Sequence, residues 1–362
     1  MTNRPASGRS IRISLAALAA ALLACAAPAG AQTLHGRLTF QDSGRPVGGA
    51  LVALVDAEGR EVRSAISTQD GRYRLTAPAA GSYRLRVERV GHESVLAGPF
   101  PLAAGQEREH RLTLSIQTIT LEAVRAEAGR RCTPRPGQQD GLALQRVWDE
   151  ARKALSSTVR AAEESGSELE FVTFERVYTP LRQLVSDTTA RHRGLVSRPF
   201  SAISAEELAE NGFVRARDGE LTYYGPDAEV LLSDIFLERH CFHLRDGTGE
   251  QEGLIGLAFE PLRNRRRPDV QGVLWLDRRT SELRHLEFDF AGIHPSGGAR
   301  ADGRVDFART PAGTWIVRKW VLRFPVANIR ITEGMPANYR LTPARAFKEV
   351  GGEVVGGSSG TN

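Results

Sequence analysis

Thr68-Gln-Asp70-Gly71-Arg-Tyr73-Arg-Leu75, followed by Ala80-Gly81-Ser-Tyr83-Arg-Leu85-Arg-Val87, decides the fold of the N-terminal part. Tyr73, Leu75, Tyr83, Leu85 and Val87 alternate with polar residues. That is the period-2 pattern of a strand buried on one face. Asp70-Gly71 is a tight-turn signal, because glycine takes positive φ without steric cost.

Working outward, further short apolar runs recur at Leu34–Phe40, Ala50–Val55, Val62–Ser67, Val95–Leu102 and His110–Ser115, with turn clusters such as Asp42-Ser-Gly-Arg-Pro46 and Asp56-Ala-Glu-Gly59 between them. About seven short strands so punctuated predict a sandwich or a barrel. The order Gly36, Gly44-x-Pro-Val47, Gly59, Thr68-x-Asp70-Gly71-x-Tyr73-x-Leu75, Ala80-Gly81-x-Tyr83 and Gly91 resembles the carboxypeptidase regulatory-like domain. The resemblance covers residues ~33–118 and implies a seven-stranded transthyretin-like (prealbumin-like) sandwich. It implies a fold and not peptidase activity. Such modules also stand ahead of TonB-dependent transporter plugs, where a strand such as Ile119-Thr-Leu-Glu-Ala-Val124 follows.

Residues 1–12 are polar and carry Arg4, Arg9 and Arg12; an apolar run, Ile13 to Ala27, comes next, and Ala29-Gly30-Ala31 precedes Gln32. This is the three-part pattern of a secretory signal, with cleavage expected between Ala31 and Gln32. The competing reading is a lipoprotein acylated at Cys25, within Leu22-Leu23-Ala24-Cys25. Either way the expected location is exported: periplasmic, outer-membrane-associated or extracellular. The first 31 residues hold no acid, so the net charge of +5 falls to +2 beyond them. Only Lys153, Lys319 and Lys348 are lysines, and the one dense basic run, Arg263-Asn-Arg-Arg-Arg267, reads as a solvated hairpin loop. No basic surface interleaved with aromatics points to nucleic acid, and no later apolar stretch is long enough to span a bilayer.

Beyond the signal two cysteines remain, Cys132 and Cys241, 109 residues apart. In an oxidising compartment a disulfide between them is expected, worth about 4–5 kcal/mol by loop entropy. His240-Cys241-x-His243 lacks the four convergent donors of a metal centre.

Residues 125–139 read as a linker and 140–350 as a second, α+β domain, mostly antiparallel. Leu142, Leu144, Val147, Trp148, Ala151, Leu155 and Val159 share one helical face after an Asp140 N-cap. Ser204-Ala-Glu-Glu207 opens a short helix that Gly212 ends, and Asp227 and Glu229 favour another from Pro226. Strands are expected at 169–179, 253–261, 270–276, 283–290, 303–309, 314–325 and 338–350, then a flexible tail over 351–362. Pro268-x-Val-x-Gly272-x-Leu-Trp-Leu-Asp277 resembles strand pairs of periplasmic half-barrels of the lipoprotein-sorting type, which implies a curved antiparallel sheet with an apolar groove. Trp275, Trp315, Trp320, Phe288 and Phe290 then have two readings: core fill against the helices, or a groove facing lipid or sugar.

The eight histidines include no His-x-x-Glu, phosphate loops are absent, and the one Gly-x-Ser-x-Gly match, Gly356-Gly-Ser-Ser-Gly360, falls in the Gly/Ser-rich tail. No catalytic residue and no cofactor is assigned. The sequence points to an exported, envelope-associated, non-catalytic binding protein whose partner is an envelope protein, a carbohydrate or a lipid. The alternatives are a periplasmic carrier of lipid or lipoprotein, and an accessory component of a TonB-dependent system.

Overall fold

The computed structural model describes residues 31–115, 118–126, 141–164, 168–195, 199–217, 220–262, 267–294, 300–327, 329–330 and 339–358. Eight strands build the N-terminal unit: β1 (Gln32–Phe40), β2 (Leu51–Val55), β3 (Glu61–Ile66), β4 (Arg72–Ala77), β5 (Gly81–Glu88), β6 (Val95–Leu102), β7 (Glu107–Glu109) and β8 (Leu112–Leu114). One sheet runs β4-β1-β7, with β8 also on β1, and the other runs β3-β2-β5-β6. The expected last strand, His110–Ser115, contains β8, while β7 is a further short strand before it; both run parallel to β1. Between the sheets Leu34, Leu38, Leu54, Leu75 and Leu85 are fully buried. Gly71 takes φ 80° in the expected turn, and Thr68 Oγ1 donates to Asp70 Oδ1 at 2.6 Å. Gly36 answers a close approach: a Cβ there would lie 1.6 Å from the His110 carbonyl oxygen.

The second unit is a nine-stranded antiparallel sheet covered by helices on one face. Its elements, in chain order, are α1 (Leu142–Glu164), β9 (Glu168–Tyr178), β10 (Leu184–Leu195), α2 (Ala205–Asn211), β11 (Val214–Arg217), β12 (Glu220–Tyr223), α3 (Ala228–Leu232), α4 (Asp234–Arg239), β13 (His240–Asp246), β14 (Leu254–Pro261), β15 (Asp269–Asp277), β16 (Leu283–Ala291), β17 (Ile293–His294), β18 (Asp302–Arg309), β19 (Trp315–Val326), β20 (Ile329–Arg330), β21 (Tyr339–Leu341) and β22 (Ala346–Ser358). The large sheet runs β10-β9-β22-β19-β18-β16-β15-β14-β13. Capping follows the sequence: Ser204 Oγ accepts from Glu207 N, and Asp227 Oδ1 from Val230 N. The helix expected from Pro226 breaks at Ser233, whose side chain caps α4 in turn. Asp140, most of the 125–139 linker and Arg263 to Arg266 lie outside the described residues.

The C-terminal end corrects the expectation of a flexible tail. Residues 346–358 form β22, which lies inside the sheet between β9 and β19. Its glycines make room for neighbours: a Cβ on Gly352 would sit 2.3 Å from the Trp320 ring, and one on Gly351 2.3 Å from the Trp320 carbonyl oxygen.

A strap and a helix are chief among the contacts that join the units. The run Ile119 to Val124 is a strap, with Leu121 and Val124 buried in the core of the second unit. Ser281 Oγ donates to the Ile119 carbonyl at 2.7 Å, Leu121 N donates to the Arg278 carbonyl at 2.7 Å, and the Arg278 guanidinium reaches the Leu121 and Val124 carbonyls. The second contact is α1, packed on the sheet by Val147, Ala151, Ala154 and Leu155 and on the sandwich by charged groups. Glu150 is 1% exposed; its Oε2 accepts from Gly91 N at 2.6 Å and its Oε1 from Lys153 Nζ at 2.7 Å. Lys153, 4% exposed, also donates to the His92 carbonyl at 2.7 Å. Arg152 pairs with Glu88 at 2.7 Å. A charge removed from water is costly unless it is paired and hydrogen-bonded, and every charge buried here is both.

Candidate functional site

The pleat of β15, β16, β18 and β19 separates two populations of side chains. Leu274, Leu286, Phe288, Phe290, Val305, Trp320 and Leu322 face the helices and are buried. On the opposite face stand Gln271, Glu287, Asp289, Asp302, Arg304 and Arg323. With His243, Arg245 and Glu260 from β13 and β14 they line an open groove of about 580 Å³.

The groove is a lattice of charge-assisted hydrogen bonds. Arg304 reaches Glu287 at 2.7 Å and Asp306 at 2.9 Å. Arg323 reaches Asp302 at 3.1 Å and Glu349 at 3.0 Å. Glu287 is a node: it also accepts from Trp275 Nε1 at 3.2 Å and from Gln251 Nε2 at 3.3 Å. Burial, and then the Asp302 and Glu287 carboxylates, push the Asp289 carboxyl above its usual value. His285, under the same network, is driven down to about 4 by burial and then by Arg304. Donors and acceptors therefore alternate across the floor.

The five aromatics of the sequence reading do not line one groove. Trp315, Trp320, Phe288 and Phe290 belong to the main core, with exposures of 3%, 7%, 3% and 7%. Trp275 lies on the other face in a small cluster with Ala258 and Val273, and is 4% exposed. The reason is parity within the β15–β16 hairpin: Trp275 pairs with His285, whereas Phe288 and Phe290 sit on the opposite side of the pleat. α1 and the short helices pack on the apolar face.

Sequence analysis assigns none of the groove residues, because charges at alternate positions of a strand have the composition of a solvated face. The usable signal was the repetition of the pattern on neighbouring strands: Glu287 and Asp289 on β16, Asp302, Arg304 and Asp306 on β18.

Cys241 is buried at the start of β13, next to Glu260; Cys132, Cys25 and the residues before Ala31 lie outside the described residues. Gln32 opens β1 with its side chain donating to the Ala77 carbonyl at 2.7 Å, so cleavage at Ala31–Gln32 leaves the strand whole. His240 is buried between the Phe236 carbonyl, 2.9 Å away, and Asp269, 3.3 Å away. Among the described residues no group of three or more His, Cys, Asp or Glu is placed to hold a metal, and no helix is long and apolar enough to cross a membrane.

The molecule is thus a β-sandwich joined to a large helix-covered antiparallel sheet. Residues 33–115 match the carboxypeptidase regulatory-like domain family, the resemblance read from the Asp70-Gly71 region. No curated protein matches the chain. Among solved structures, a putative carbohydrate binding protein from Bacteroides uniformis is similar at 10% identity over 63% of this chain and 89% of its own, with a TM-score of 0.20. A DUF3823 family protein from the same organism is similar at 11% identity over 45% of this chain and 76% of its own, also at 0.20. A putative membrane-associated protein of unknown function from Bacteroides fragilis is similar at 9% identity over 92% of this chain and 100% of its own, at 0.19. Scores this low do not establish a common fold for the whole chain.

Proposed function

We propose that this chain is an exported, non-catalytic binding protein of the cell envelope, and that its outer-face groove takes a hydroxyl-rich ligand of the saccharide class. The observation that carries the reading is the chemistry of the groove. Arg245, Arg304, Arg323 and Gln271 donate, while Glu260, Glu287, Asp289 and Asp302 accept. A sugar hydroxyl both donates and accepts, so it inserts into such a lattice without leaving a charge unpaired. An acyl chain would strip water from these charges with no return, and the apolar face that suits it is filled. A polyanion would meet the four carboxylates.

In this reading the sandwich acts as a docking module held rigidly by α1 and the Ile119–Val124 strap. A signal peptide cleaved after Ala31 and a Cys132–Cys241 disulfide complete the proposal; the intact mass of the exported protein, reduced and unreduced, reads both. The binding test is an array of neutral and acidic polysaccharides probed with the mature chain, repeated with Asp289→Asn and Arg304→Ala. Binding of a neutral glycan that either variant weakens at least tenfold supports the proposal. No glycan bound, or binding untouched by both variants, overturns it.

A further inference from the structure

Among the described residues the large sheet ends at β10, a strand of 12 residues paired only on its β9 side. Residues 184–193 are exposed on both faces of the pleat. Natural sheets blunt such an edge with short strands, proline, lysine or bulges, because its free N–H and C=O groups template another strand. β10 contains neither proline nor lysine, and its one irregularity is at the end, between Leu184 and Ser186. Leu184 and Val185 are 56% and 65% exposed, and Leu181 in the adjoining turn is 83% exposed.

We infer that β10 pairs antiparallel with β10 of a second copy of this chain, about a twofold axis at Thr189, to make one continuous sheet. A twofold normal to the sheet keeps like faces together, so residues meet only others of the same parity. Asp187 and Arg191 lie on one face, two residues either side of Thr189. The axis at Thr189 therefore sets each Asp187 opposite the Arg191 of the other copy. It pairs Thr189 with Thr189. An axis at Asp187 or at Arg191 would oppose like charges, which destabilises a cross-strand pair. Within one copy Asp187 bonds Arg176 at 3.1 Å and Arg191 bonds Glu170 at 2.8 Å. These pairs hold both side chains flat on the outer face, and joining two edges would extend the same charge ladder.

The test combines mass and register on the full mature chain. Light scattering should give twice the monomer mass. Under copper-catalysed oxidation Thr189→Cys should form a covalent dimer. Ser186→Cys should not, because its counterpart lies six residues along, about 20 Å away. The unsubstituted chain, with Cys132 and Cys241, is the control. Asp187→Arg should weaken the dimer at least tenfold and Asp187→Arg/Arg191→Asp should restore it. A monomer at all concentrations up to about 100 µM, equal crosslinking of Ser186→Cys and Thr189→Cys, or a crosslink only to a strand of a different protein would each overturn the inference. If Asp187→Arg fails to fold, the crosslinking pair still decides.

Discussion

Lys153→Met is the sharpest perturbation of the weld between the two units. It removes the cation beside Glu150 and leaves a carboxylate 1% exposed with the Gly91 N–H as its remaining hydrogen bond. Breaking a buried ion pair from one side costs roughly 3–5 kcal/mol. Here the cost has a ceiling, because the stranded Glu150 can take up a proton instead. Its ordinary pKa is 4.5, burial already pushes it upward, and losing Lys153 pushes it further. Protonating it at pH 7 costs about 3 kcal/mol, at about 1.4 kcal/mol per pH unit. The sign follows from linkage: a carboxyl raised in the folded state destabilises as pH climbs above its unfolded value. The penalty of Lys153→Met should therefore shrink by about 1.4 kcal/mol per unit as pH falls from 7 toward 4.5. Glu150→Gln/Lys153→Met has no group to titrate at this site. It should be the more stable of the two at pH 7, by about 2 kcal/mol, and the gap should close at acid pH. Urea unfolding followed by tryptophan fluorescence, at several pH values, measures both. A penalty for Lys153→Met that is flat in pH, or under about 1 kcal/mol at pH 7, would refute the account of a desolvated, mutually dependent pair.

Three further outcomes are expected. His92 and His285 are both held down to about 4, His92 by burial and then Arg89, so the folded state resists their protonation; stability should be full above about pH 6.5 and fall between there and 4, a loss that His285→Asn flattens in urea midpoints. Gly303→Val should cost at least about 2 kcal/mol by overpacking, since a Cβ at Gly303 would sit 2.1 Å from the Phe288 ring; adding Phe288→Leu should recover part of the melting temperature. Ending the chain at residue 345, which removes β22 from between β9 and β19, should abolish soluble folded protein.

Legibility from sequence followed the strength of local signals. The sandwich could be read because Asp70-Gly71 and the Tyr73–Val87 alternation each fix a turn and a face. The α1 periodicity and the Ser204 and Asp227 caps were equally direct. β22 was hidden because Gly351 and Gly352 look like tail composition, although they are small to clear Trp320. β10 carries no buried face, so no period marks it. The strap Ile119–Val124 reads as a strand, yet Leu121 and Val124 are anchors set into the core of the second unit. The groove was invisible for a different reason: charged residues at every second position have the same composition whether they face bulk water or a ligand. Only the sheet order, which sets β16 beside β18 and β18 beside β19, turns Asp289, Asp302, Arg304 and Arg323 into one surface.

Amide hydrogen exchange of the mature chain, with and without a bound neutral oligosaccharide, tests the central claim most directly. Protection confined to β15, β16, β18, the Arg323 stretch of β19 and the adjoining parts of β13 and β14 is the expected footprint of a ligand in the outer-face groove. Protection on α1 to α4 with none on those strands would mean that the ligand enters from the helix-covered face, and the proposed site would be wrong.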